Sequence, residues 1–165
     1  MARAGIDSLK IEGRVKTAYY AAVVTNAYRR AAELYAADPE HFAPPQELLD
    51  EVWKVSHREY FTGFYMGDPK TQHMADSTYI REWDVCAVVE SCDGEGNAVL
   101  RHKNKFFASD DLELLTPGRP AEVIHLEQMR SGEGEPIELA NLPHMTVLAK
   151  LPRQVEPLSI LRRKK

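Results

Sequence analysis

The sequence predicts an α+β protein: a strand–helix unit, then a helical connector, then a small antiparallel β-barrel. Two observations carry this. Before residue 56, apolar residues recur at three- and four-residue spacing, the period of a helix packed along one side. From Thr78 onward the pattern changes to short alternating runs separated by Gly, Pro, Asn and Asp, as expected of antiparallel strands joined by turns. At 165 residues the chain can bury one fair core or two small ones.

A strand is expected over residues 6–11, where Leu9 and Ile11 alternate with Ser8, Lys10 and Glu12, and Gly13 breaks the pattern. A helix follows, with Thr17 as its expected N-cap because a hydroxyl there can accept a free amide of the first turn. Tyr20, Val24, Ala27, Tyr28, Ala31 and Leu34 form its apolar side. Asp38-Pro39 ends it, since proline cannot continue a helix and restricts the residue before it. A second amphipathic helix over residues 46–55 places Leu48, Leu49, Val52 and Trp53 on its apolar side. The segment HREYFTGFYMGDPK, residues 57–70, is expected to be an ordered loop, because its large rings need something to pack against. One strand–helix unit cannot form a sheet alone, so the first strand's partners are expected in chain beyond this sequence.

Strands are then expected over residues 83–90, 98–107, 112–115, 121–126, 137–139 and 145–151. The turn CDGEGN, with two glycines able to take positive φ, joins the first pair, and TPGRP, SGEGEP and NLPH separate later ones. Closure into a barrel is preferred because it removes exposed edges. The basic tail at residues 161–165 is expected to fray. This divides the chain into residues 1–38, 39–76 and 77–165.

Several function classes are disfavoured. No apolar run approaches the roughly 20 residues of a membrane helix, and the first residues lack the apolar core of a signal peptide. Two cysteines point to a reducing, cytoplasmic setting rather than a disulfide framework. A net charge of -4 and a pI near 5.9 argue against gripping nucleic acid by bulk positive charge, leaving room for a local basic strip.

Three clusters could carry chemistry. In DSLKIEGR, Ser8, Lys10 and Glu12 project to one side of a strand and Arg14 stands at its exit. At the mouth of a β/α barrel, Glu12 and Arg14 would suit acid–base work and pairing with an anionic group; on a surface strand, Lys10 and Glu12 would simply pair. Ser56-His57-Arg58 could hold a phosphate or carboxylate, or His57 could only cap a helix end. Arg101, Lys103 and Lys105 alternate, sharing a face that Phe107 continues if residues 98–107 are one strand. Cations interleaved with aromatics could bind single-stranded RNA, and an ordinary solvated face would look the same. For a metal, Cys86 and Cys92 lack a CxxC partner and no HExxH is present, so no metal site is expected in this chain.

DSLKIEGR, the Tyr-Tyr helix, ADPE, VSHREYFTGFYMG, YIREWD, RHKNKF and VEPLSILR, in that order, resemble the collagenase-like peptidase family U32 over nearly the whole chain. The resemblance implies that residues 1–38 are the last βα unit of a β/α-barrel catalytic domain and that the C-terminal barrel is similar to translation-factor barrels. It also implies an enzyme that hydroxylates tRNA or rRNA bases, using prephenate and an iron–sulfur cluster held by an upstream catalytic domain. Lys10, Glu12 and Arg14 match the family's barrel-end motif, and His57 and Arg58 its following loop. Two rivals remain at this point: a collagenase-like protease, and a non-enzymatic barrel that binds RNA or a partner. Where many members carry Gly-Asp, this chain has Asp110-Asp111, so that turn is expected to differ.

Overall fold

The computed structural model describes residues 2–60 and 78–165, so most of the expected aromatic loop lies outside the described residues. The strand expected over residues 6–11 does not form. A strand exists through its neighbours' hydrogen bonds, and here no ladder partner is present among the described residues. Ile6, Leu9 and Ile11 are left 45%, 46% and 38% exposed.

Helix α1 spans Ala18–Ala37, with Thr17 as its N-cap accepting the Tyr20 amide at 3.3 Å. Its buried residues are Val23, Val24, Asn26 and Ala27. The apolar stripe therefore meets the body of the protein over about two turns, and Tyr28 and Leu34 stay in solvent. Burying each valine is worth about 1.5–3 kcal/mol. Asn26 adds a polar clasp: its amide donates to the Arg119 carbonyl at 3.0 Å and its oxygen accepts from the Gly118 amide at 2.7 Å. Helix α2, Gln46–Trp53, lies beside α1. Contrary to the sequence pattern, its buried residues are Leu48 and Glu51, while Leu49 and Trp53 are exposed.

The remainder is antiparallel. Strands β1 (Trp83–Cys92), β2 (Asn97–His102), β3 (Phe106–Phe107), β4 (Leu112–Leu115), β5 (Glu122–Ile124), β6 (Met129–Ser131), β7 (Pro136–Ile137), β8 (Leu139–Ala140), β9 (Thr146–Lys150) and β10 (Ile160–Lys164) follow in order. Eight of them form one curled sheet, in the order β5-β4-β10-β1-β2-β9-β6-β7, and β3 pairs with β8. The ladder is a half-barrel: β5 and β7 remain its ends. Two register shifts in β1, between Val85 and Ala87 and between Val89 and Ser91, bend the long central strand as bulges do. The concave side is filled by Val89, Leu100, Phe106, Leu112, Leu114, Met129, Val147 and Leu161. In the expected turn after β1, Gly96 has φ +89°, and a Cβ there would stand 2.4 Å from the Leu151 carbonyl oxygen, so only glycine fits.

Two further expectations are corrected. The tail is not frayed: β10 lies between β1 and β4, near the middle of the sheet. Its Arg162 is fully buried because Glu113 on β4 and Glu51 on α2 pair with it, Glu113 at 2.6 Å. Nor is 98–107 one strand. The chain leaves the sheet after His102, where the Lys103 amide and the Asn104 side chain bond the Cys86 and Val85 carbonyls at 2.8 and 2.7 Å. Phe106 then enters the core from the second sheet.

Replacing Arg162 with Ala leaves the carboxylates of Glu51 and Glu113 with Lys54 alone to balance them among the described residues. The expected cost is about 3–5 kcal/mol, read as a fall in the urea midpoint; an unchanged midpoint would show that the pairing is incidental. Alkali provides a second check. Burial pushes the Cys86 thiol from 9.0 up to about 12 and the Tyr19 hydroxyl from 10.0 up to about 12. Both groups fold neutral, so their contribution is complete below about pH 9 and is lost as pH rises toward 12. The urea midpoint should fall between pH 8 and 11, and less steeply in Cys86→Ala; a flat profile contradicts this.

Candidate nucleic-acid interface

The first turn of α1 stands against β1 and the start of β10, and between them lies an open groove of about 640 Å³. Val85, Val88 and Ile160 form its floor beside Trp83, and Arg81, Lys103 and Asn104 stand along its margin. Tyr19 is held at the back: its hydroxyl donates to the Lys54 carbonyl at 3.1 Å and accepts from Arg162 at 3.2 Å. Trp83 is fixed by cations over its ring, with Lys54 Nζ at 4.7 Å and the Arg162 guanidinium at 5.2 Å from its centroid.

Beyond one end of the groove, Lys16 Nζ bonds the Ser56 carbonyl at 3.3 Å and lies 4.4 Å over the Tyr79 ring. The Arg58 guanidinium covers the same ring at 5.2 Å. On the loop leaving β2, Lys105 Nζ lies 5.2 Å over Phe107. None of Lys16, Arg58, Lys103 and Lys105 has a carboxylate within ion-pair distance among the described residues. The result, among the described residues, is cations without carboxylate partners set over rings at Tyr79 and at Phe107, the composition that suits a single strand with a charged backbone and flat bases.

The candidates from sequence separate into distinct places. Lys10, Glu12 and Arg14 are exposed on the unpaired N-terminal stretch, where Glu12 accepts the Arg14 amide at 2.9 Å. No hydrogen bond or ion pair joins them to the other candidates among the described residues. His57 is buried, stacked on Tyr60 at 4.5 Å and edge-on to Trp53 at 4.9 Å. Its Nδ1 lies 2.7 Å from the Arg58 carbonyl, which can only accept, so Nδ1 carries the proton. The ring thus holds the loop that presents Arg58. Arg101 pairs with Glu90 at 2.6 Å on the outer face of β2, apart from Lys103 and Lys105 in the loop, so the supposed common face of the basic strip does not exist. His102, within that strip, is buried against Phe106. Sequence reasoning did not single out Lys16, Tyr79, Arg81 and Trp83, which the structure places at or beside the groove. The available signal was the alternation of rings and a cation in Tyr79-Ile80-Arg81-Glu82-Trp83.

An iron–sulfur cluster does not fit the donors present. Among the described residues no group of three His, Cys, Asp or Glu side chains is placed to hold a metal. The buried Cys86 thiol is held protonated, and Cys92 turns its sulfur toward the Asp93 and Arg153 carbonyls. Among the described residues no helix is long and apolar enough to cross a membrane. At the turn where the resemblance implied a difference, Asp110 accepts the Phe107 amide at 2.8 Å and pairs with Arg163, without positive φ.

Comparison with known proteins places these features in a wider setting. Residues 1–75 match the model of peptidase family U32, and residues 81–162 match the model of the peptidase family U32 C-terminal domain. The chain is 31% identical over its whole length to tRNA hydroxylation protein P1 of Bacillus subtilis, of which it covers 40%. It is 30% identical over 94% of its length to tRNA hydroxylation protein P of Escherichia coli, covering 34% of that protein. An uncharacterized protease of Methanocaldococcus jannaschii is 39% identical over 41% of the chain, which covers 16% of that protein. The crystal structure of the C-terminal domain of a Geobacillus thermoleovorans putative U32 peptidase aligns with 48% of the chain at 22% identity and a TM-score of 0.46. The chain thus spans less than half the length of the curated relatives it matches.

Proposed function

The chain belongs to peptidase family U32, and from that premise we propose that it is the RNA-contacting portion of a tRNA hydroxylation enzyme. The observation that carries this is the match along the entire chain to a protein named for tRNA hydroxylation. The cations over Tyr79 and Phe107, which have no carboxylate partner among the described residues, support it from the chemistry, since RNA presents phosphates and stackable bases even to a protein of net charge -4.

In this reading the exposed Ile6, Leu9 and Ile11 belong to a strand that pairs inside a β/α-barrel catalytic domain of the longer protein. Lys10, Glu12 and Arg14 then lie near the catalytic centre of that domain, and Arg58, Lys103, Lys105 and Phe107 guide RNA toward it. His57 acts by positioning Arg58. The iron–sulfur cluster and prephenate that the family resemblance implies belong to the rest of such a protein, because the donors here do not suit a cluster. Cytoplasmic residence follows from the substrate.

The test is a titration of labelled tRNA at two salt concentrations with the wild type and an Arg58→Glu, Lys105→Glu variant. About three phosphates neutralised on a single strand give a log–log salt slope of roughly -2. The variant should lose that slope and bind about tenfold more weakly or worse. Identical binding by both proteins would remove the interface from Arg58 and Lys105. Cleavage of gelatin without tRNA binding would favour the protease instead.

A further inference from the structure

We propose that the groove between α1 and β1 receives one unstacked nucleotide of single-stranded RNA, its base on the apolar floor and its phosphate at the cationic margin. This deepens the RNA reading above and rests on it. The volume, about 640 Å³, falls within the roughly 300–1,000 Å³ of small-molecule sites. The floor is built from Val85, Val88 and Ile160, side chains that gain by losing water to a flat apolar surface. Trp83 flanks that floor and offers a ring beside the base, the kind of platform on which bases stack irrespective of sequence.

The charge around the groove selects an anion. Lys103 lines the groove from a loop anchored by its own backbone to Cys86, and its ammonium has no carboxylate partner among the described residues. Among the described residues Arg81 pairs with Asp84 at 3.3 Å, a carboxylate that also pairs with Lys165. Thr17 and Ala18 bring the start of α1 to the same groove, and the first turn of this 20-residue helix holds no acidic side chain to offset its partial positive charge. A phosphate is the group that such a margin suits. An apolar peptide would cover the floor and leave these charges unanswered, and a duplex keeps its bases stacked away from the floor.

One polar group is free to read the base. Asn104 lines the groove with its amide nitrogen committed to the Val85 carbonyl at 2.7 Å. Its carbonyl oxygen has no partner among the described residues and is set to accept from a base N–H.

Trp83 reports occupancy directly in the full chain carrying Trp53→Phe, which removes the other tryptophan. A single-stranded RNA oligomer should quench Trp83 saturably, and the same sequence as a duplex, or an apolar peptide, should not. Ala22→Leu fills the groove from α1 without changing charge, and should weaken single-strand binding about tenfold or more. Should Ala22→Leu lose its far-UV signature, Lys103→Gln, on an exposed loop, provides the same readout with an expected loss of several-fold. Wild-type tRNA affinity in both variants with Trp83 unquenched overturns the groove and leaves the RNA interface standing. Equal quenching by duplex or peptide overturns it as well. If the wild type binds no tRNA, the RNA reading itself fails; quenching by a nucleoside monophosphate then sustains the groove, and its absence overturns it.

Discussion

Everything else in the structure is arranged around Arg162. Its guanidinium, fully buried on a central strand, meets Glu113 from β4, Glu51 from α2 and the Tyr19 hydroxyl from α1, with the Trp83 ring of β1 at its face. Lys54 adds a second cation, 2.9 Å from Glu113 and 3.6 Å from Glu51, so the cluster is electrically balanced. Burial alone would lower the arginine's pKa; the Glu51 hydrogen bond, the Tyr19 hydroxyl and the carboxylates of Glu51 and Glu113 hold it raised instead. Such a cluster is a poor source of net stability, because desolvation consumes most of the attraction. What it supplies is position. A fork of donors accepts only a few arrangements of carboxylates, whereas apolar packing alone would let the helices slide on the sheet.

That fixed position creates the groove. With Tyr19 tied to Arg162 and Asn26 clasping the β4–β5 turn, α1 is held near its N-terminus and about two turns farther along. The valines between seal against Leu115 and Ile160. The helix start therefore stands off the sheet at a set distance, neither closing over Val85 and Val88 nor leaving them open to bulk water. Structural ion pairing and the surface proposed for RNA are consequently coupled through Trp83, which touches both.

What was legible in the sequence was whatever depends on neighbours along the chain. The Thr17 cap, the stop at Asp38-Pro39 and the turn from Asp93 to Gly96 rest on local backbone chemistry, and each appears where the residues place it. The elements that escaped depend on partners far away. Leu161 to Lys165 has the composition of a solvated tail, and only Glu51 and Glu113, distant in sequence, turn it into a central strand. The break after His102 is made by the carbonyls of β1, so alternation in residues 98–107 could not reveal that Arg101 and Lys105 part company. His57 was ambiguous because residue type does not distinguish a ligand from a ring packed between Trp53 and Tyr60. Conversely, the apolar alternation of residues 6–11 is present without the neighbouring strands that would make it a strand.

Net charge misleads for the same reason. The total of -4 argues against nucleic acid only if the acidic groups stand where RNA would approach. Here many are committed inward or to cations elsewhere: Glu51 and Glu113 to Arg162 and Lys54, Asp110 to Arg163, Glu90 to Arg101, Glu122 to Arg153. Of the cations at the groove and at the rings of Tyr79 and Phe107, Arg81 pairs with Asp84, while Lys16, Arg58, Lys103 and Lys105 have no such partner among the described residues. At a Debye length of about 8 Å in physiological salt, a phosphate at the margin feels Lys103, Arg81 and the helix start far more than carboxylates on the opposite side of the sheet. The field that matters to a strand in the proposed groove is local, and the pairing with Arg162 keeps the charges of Glu51 and Glu113 out of it.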